Sequence, residues 1–222
     1  QHLPLGERQP RGLGHLAQTG PVLDALAARL PGLRLTIRSA LPEERLRLRV
    51  ALPFDHLAGG SDVTCLMHDA TRVDRAATAA AYRSVHADWD GRVAAEADFL
   101  AALAPDLVLA NVSPLPLAAA RAAGIPAAAM CSLNWADQFA FLFAGEDWAA
   151  PIEAQLRAAY AGADAFLRCT PAMPMADLEN RIDLPPLARV GTAQRARLEE
   201  TLGVAGERLV LVAMGGIGFE LP

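Results

Sequence analysis

One histidine sits where a helix start could use it. Gly12-Leu13-Gly14-His15-Leu16-Ala17-Gln18-Thr19-Gly20 reads as a glycine-rich turn entering a helix over 16–30, with Leu16, Leu23, Leu26 and Leu30 at helical spacing. Backbone N–H groups at such a start can face an anion or a sugar hydroxyl. The positive end of the helix dipole disfavours an imidazolium there, so His15 is expected to be neutral at pH 7 and able to accept a proton from an attacking hydroxyl. The competing reading is that His15 caps the turn or bonds a carbonyl. A second glycine turn, Met214-Gly215-Gly216-Ile217-Gly218, follows the apolar run 209–213. Its amides can cradle a diphosphate, or it is a plain tight turn.

Other polar residues fall just after short apolar runs. Asn111 follows the run 107–110, and Asn134, Trp135 and Asp137 lie in a polar-aromatic stretch, 132–139, after the run 127–131. In open parallel sheets ligands sit outside the carboxyl ends of strands, so these residues and His15 are expected on one rim. Against this, Asn111 can be only a turn-forming residue, and 134–137 an ordinary loop with Trp135 in the core. His86, Asp88, Trp89 and Asp90 read as a helix cap and a solvated face. The Gly12-x-Gly14 pair falls short of a dinucleotide fingerprint: Ala17 stands at the third glycine position, and the downstream strand ends in Arg38 and Ser39 without an acid.

The elements that must position these residues follow from the pattern. A strand is expected over 33–38, an exposed or edge strand over 43–52 from the alternation of Leu46, Leu48, Val50 and Leu52, and a loop over 54–69. Residues 71–103 read as a helical tract broken near Asp88-Trp89-Asp90-Gly91. Strands at 107–110, 127–131 and 165–169 are separated by helices at 115–123 and 152–160, and 170–186 is a proline-rich passage. A last helix spans 193–202. Alternating strands and helices give an α/β class with a Rossmann-like parallel sheet and helices on both faces.

The 222 residues carry a formal charge of −5, with 53% hydrophobic and 5% aromatic residues, and no basic block. Phosphate-backbone and base-stacking interfaces are therefore not expected, and nucleic acid is excluded as a partner. No apolar run reaches the length of a membrane span. Cys65, Cys131 and Cys169 are odd in number and far apart, which points to reduced thiols and a cytoplasmic protein without a zinc site, with Cys131 and Cys169 as small buried hydrophobes.

Taken together, Gly12-Leu13-Gly14-His15, Pro105-Asp106-Leu107-Val108-Leu109-Ala110-Asn111, Ala123-Gly124-Ile125-Pro126, Ser132-Leu133-Asn134-Trp135 and Val212-Ala213-Met214-Gly215-Gly216-Ile217-Gly218 resemble, in order, the motifs of GT-B glycosyltransferases. The likeness is greatest to the glycosyltransferase-like domains found alone in bacteria or fused ahead of sugar kinases such as plant L-arabinokinase. More distantly the chain is similar to the lipid-linked N-acetylglucosaminyltransferase of peptidoglycan synthesis. Two departures stand out. Gln1 to Pro10, with Pro4 and Pro10, replaces the family's first strand, and Asn111 replaces its usual acid.

The resemblance implies two facing Rossmann-like domains, an acceptor-side domain over 12–186 and a linker with the start of a nucleotide-sugar domain over 187–222. Residues 1–11 are expected to be disordered or non-native. It further implies transfer of a sugar from a nucleotide-diphosphate sugar such as a UDP-sugar to an acceptor hydroxyl, on a sugar or a lipid-linked acceptor, without a metal cofactor. His15 is then the candidate base, Gly12, Gly14, Asn111, Asn134, Trp135 and Asp137 candidate acceptor contacts, and Gly215, Gly216 and Ile217 candidate nucleotide-sugar contacts. As a fragment with one phosphate turn and no base pocket, the chain is not expected to turn over. The alternatives are a non-catalytic sugar-binding module of the kind fused to a sugar kinase, and a sugar-nucleotide 2-epimerase.

Overall fold

In a computed structural model that describes residues 13–60, 63–69 and 71–212, the chain alternates helices with parallel strands. Helix α1 (Leu13–Arg29) leads to β1 (Thr36–Ser39), α2 (Glu43–Arg47), β2 (Asp55–Ala58), α3 (Arg75–His86) and α4 (Trp89–Leu103). Then follow β3 (Val108–Ala110), α5 (Pro114–Ala123), β4 (Ala127–Cys131), α6 (Trp135–Phe143), α7 (Ala149–Ala161), β5 (Ala165–Cys169), β6 (Arg181–Leu184) and α8 (Arg195–Leu202). β1 pairs with β2, and β3-β4-β5-β6 form a four-stranded sheet; every strand pairing is parallel. Helical crossovers join most successive strands, which is the Rossmann-like α/β arrangement.

Strand β4 runs between two neighbours and is almost wholly buried, as a central parallel strand must be. The main core packs Ala129, Phe166, Leu117 and Leu156 with an aromatic group in which Tyr82 meets Phe139 at 4.8 Å between ring centroids. A smaller core of Leu16, Leu23, Leu41, Leu46, Val50 and Phe54 lies under α1. Arg38 of β1 joins the two sheets' surroundings: it pairs with Glu96 of α4 at 2.5 Å and lies 4.9 Å from the centre of the Phe99 ring.

Several elements differ from the sequence expectation. The strand expected over 43–52 is the helix α2 followed by a turn. Leu46 and Val50, four residues apart, are both buried while Leu48 is exposed, and Glu43 bonds Arg47 one turn on, so the four-residue period prevails over the two-residue one. The loop expected over 54–69 contains β2, whose four residues are too few to show a period and are held by the ladder to β1. The passage over 170–186 contains β6, paired with β5. The stretch over 132–139, expected as a loop, turns into α6 at Trp135. Gly14 lies within α1, not in a turn. The apolar run before the second glycine turn, which reads as a strand, forms none over 209–212, and Val210 and Leu211 are exposed; α8 buries none of its residues.

The break expected near Asp88 is present. Asp88 caps α4 by accepting from the Gly91 amide at 3.3 Å, and His86, expected on a solvated face, is instead buried. Its ring stacks on Trp89 at 4.6 Å, and Nδ1 donates to Gln155 Oε1 at 2.8 Å, tying the bend to α7. Burial, reinforced by the Arg92 charge and opposed by the Gln155 bond, holds His86 below its ordinary value of 6.5.

Two predictions follow from packing. Gly20 is buried in α1, and a Cβ there would lie 2.5 Å from the Arg49 carbonyl oxygen. Gly20→Ala, which would favour an exposed helix, is therefore expected to destabilise by about 1–3 kcal/mol in denaturant unfolding; a stabilised variant contradicts the close approach. Because folding keeps His86 neutral, its contribution to stability is complete above pH 6.5 and is lost as the pH falls below that value. Between pH 7.5 and 5.5 (about one unit either side of the ordinary histidine value), Tm should fall more steeply for the wild type than for His86→Phe; equal slopes contradict the assignment.

Candidate functional site

The first turn of α1 lies against the carboxyl ends of β3 and β4. His15 Nδ1 is 2.8 Å from Asn111 Oδ1, although the two residues are 96 positions apart, and the His15 ring meets the Trp135 ring edge-on at 6.0 Å between centroids. Three of the residues singled out from the sequence thus share one place at the rim. Parallel strands put them there: β3 ends at Ala110 and delivers Asn111, and β4 ends at Cys131 ahead of the cap of α6.

The Asn111 amide has one possible orientation. Its Nδ2 lies 3.1 Å from the His15 carbonyl oxygen, which can only accept, so the amino group must face it. The second Nδ2 hydrogen goes to Thr19 Oγ1 at 2.7 Å, and the Thr19 hydroxyl in turn donates to the His15 carbonyl at 2.9 Å. Oδ1 is thereby left to accept, and His15 must carry its proton on Nδ1. In the neutral ring the basic lone pair is then on Nε2. All of the amide's donors serve α1, so Asn111 acts on His15 and not as a donor to an acceptor molecule.

Around this pair, Gln18 donates to Ser132 Oγ at 3.1 Å, and Cys131 Sγ lies 3.6 Å from Gln18 Oε1 and 3.7 Å from His15 Nδ1. Cys131 and Cys169 are both buried and unbridged. Burial, with the neighbouring Cys131, pushes the Cys169 thiol up to about 11, so it remains protonated at neutral pH.

Asn134 and Asp137 have structural employment. Asn134, 1% exposed, is the N-cap of α6: its Oδ1 accepts from the Asp137 amide at 2.7 Å and its Nδ2 donates to Asp137 Oδ2 at 3.1 Å. The other Asp137 oxygen accepts from Arg157 at 3.2 Å. Arg157 also bonds Glu153 and Asp177, and these carboxylates together hold its charge against the cost of burial. Asp137, Arg157 and Asp177 line an open groove of about 550 Å³ with Met173 and Met175. Ser132 connects the groove to the rim, since its carbonyl accepts from the Met173 amide at 2.8 Å.

Of the remaining candidates, Gly14 is an exposed helical residue with open space where a Cβ would point. Gly12, Gly215, Gly216 and Ile217 lie outside the described residues. Among the described residues no three His, Cys, Asp or Glu side chains gather as a metal-ligand set, and no helix is long and apolar enough to cross a membrane.

Thr19, Gln18 and Tyr160 are the residues that sequence reasoning missed. Thr19 was within reach of it, because four residues after His15 is one helical turn and puts a hydroxyl on the same face. Tyr160 has no local signal; it reaches the rim from α7 through the fold.

Replacing the Asn111 amide by a carboxylate keeps the shape of the side chain, removes the two N–H bonds to the His15 carbonyl and the Thr19 hydroxyl, and adds a charge beside His15. Asn111→Asp should raise the midpoint of His15 protonation, followed by its ring resonances in a pH titration, by about one unit or more. An unmoved midpoint contradicts the contact. The chain matches no known protein-family model and no curated protein sequence.

Proposed function

We propose that this chain carries the acceptor side of a glycosyltransferase that uses a nucleotide-diphosphate sugar. The observation that carries the reading is the tautomer-fixed His15 at the carboxyl rim of a parallel sheet. Such a rim is where open α/β sheets take ligands, and a neutral imidazole with its proton on Nδ1 offers Nε2 as a base. The resemblance of the motifs around Gly12, Asn111, Asn134 and Gly215 to GT-B enzymes supports the same reading.

In the proposed reaction an acceptor hydroxyl gives its proton to His15 Nε2. The hydroxyl oxygen attacks the anomeric carbon of the donor, and the bond from that carbon to the diphosphate oxygen breaks. The nucleoside diphosphate leaves with the electron pair, its charge met by backbone amides near Gly215, Gly216 and Ile217. Stabilising that charge is the larger energetic task, and proton transfer contributes about 10²–10⁴-fold.

A second reading, a sugar-binding module without turnover, is favoured by one observation. Asn111 is uncharged, so it orients His15 but lends no charge to an imidazolium formed during the reaction.

Calorimetric titration of the full-length protein with UDP, GDP and dTDP, followed by turnover of the corresponding nucleotide sugars, separates these. The transferase reading predicts binding of one nucleotide and a loss of at least about 100-fold in turnover for His15→Ala. Sugar binding without turnover supports the module. Absence of nucleotide binding rejects the donor assignment, and unchanged turnover in His15→Ala removes His15 from the chemistry.

A further inference from the structure

Two partners of the His15 ring, Asn111 and Trp135, trace back to a single buried hydroxyl. Tyr160, fully buried on α7, donates from its hydroxyl to the Val112 carbonyl at 2.8 Å and accepts the Trp135 amide N–H at 3.2 Å. Val112 directly follows Asn111, whose Oδ1 holds His15 Nδ1, and Trp135 supplies the ring that meets His15 edge-on. The loop after β3 and the start of α6 belong to different crossovers and share no ladder. The Trp135 amide is one of the first N–H groups of α6, which no carbonyl within that helix can satisfy. One oxygen serves as acceptor for it and donor to the loop carbonyl, in a place where 0% of the tyrosine and 0% of Val112 is exposed.

We infer that Tyr160 is a positioning residue for the site: its hydroxyl sets the separation between the Asn111 loop and the Trp135 helix start, and through them the placing of the His15 ring. The inference deepens the transferase reading and rests on it for its catalytic meaning, while its geometric content stands apart. The ring packs edge-on against Phe166 at 5.6 Å, so packing and hydroxyl can be removed separately. Tyr160→Phe keeps the ring and leaves a buried carbonyl and a buried N–H with their shared partner gone. Phe166→Leu loosens the ring and keeps the hydroxyl.

The experiment compares both variants with the wild type by thermal unfolding, hydrogen exchange of the Trp135 amide and the ring nitrogen resonances of His15. A purely structural role lowers Tm in both variants and leaves the His15 resonances in place. The positioning role predicts that Tyr160→Phe, at a temperature where it is folded, moves the His15 resonances and speeds exchange of the Trp135 amide by about five- to tenfold, the equivalent of one lost hydrogen bond. It predicts that Phe166→Leu lowers Tm and moves neither. Unmoved His15 resonances in Tyr160→Phe, or equal movement in Phe166→Leu, overturn the inference. Where sugar transfer is measurable, Tyr160→Phe should lower kcat with little change in KM for the donor. A full-length protein that transfers no sugar in wild-type form fails the functional reading while the resonances still decide the role of Tyr160.

Discussion

The site hangs on the amide of Asn111, a group whose donors and acceptor are all committed to one turn of helix. Its two N–H bonds go to the His15 carbonyl and the Thr19 hydroxyl, and its oxygen accepts a hydrogen bond from the His15 ring N–H. Each bond contributes only about 0.5–1.5 kcal/mol net, yet the set is more demanding than its sum, because removing one partner leaves part-buried polar groups unmatched. Helix α1 is thereby fixed in rotation as well as position. Leu16 and Leu23 face the smaller core while His15 and Thr19 face β3.

That fixing matters because α1 spans two separately paired sheets. Its apolar stripe packs with β1 and α2, and its polar first turn reaches the ends of β3 and β4. Arg38 of β1 and Glu96 of α4 make a second connection, and after β6 Arg189 returns to bond Asp24 of α1 and the Arg49 carbonyl. Parallel strands joined by helices must all end on the same side, so a histidine and an asparagine far apart in sequence can meet at a rim without any local pairing between them. The chemistry then depends on which side chain each strand end delivers, and here β3 delivers a neutral amide. It orients an imidazole without contributing charge.

Much of this was legible in the sequence, and the failures have physical causes. The α/β class, the strands at 108–110, 127–131 and 165–169, and the meeting of His15, Asn111 and Trp135 follow from apolar runs and from the rule that strand ends gather. Four-residue strands such as β2 and β6 show too little period to be seen and exist only through their neighbours' ladders. Residues 43–52 carry both a two-residue and a four-residue period, and burial of Leu46 with Val50 decides between them. Asn134, a candidate acceptor contact in the sequence, caps α6, a role its side chain and the Asp137 amide define together. Tyr160 was invisible because its importance lies in two hydrogen bonds to distant backbone groups.

The central claim is that Asn111 holds the His15 ring with a proton on Nδ1. A long-range proton–nitrogen correlation spectrum of the histidine rings at neutral pH tests it directly. For the neutral His15 ring the account predicts a single tautomer, with the proton on Nδ1 and Nε2 unprotonated. A proton resident on Nε2, or averaging between the two nitrogens, would contradict it.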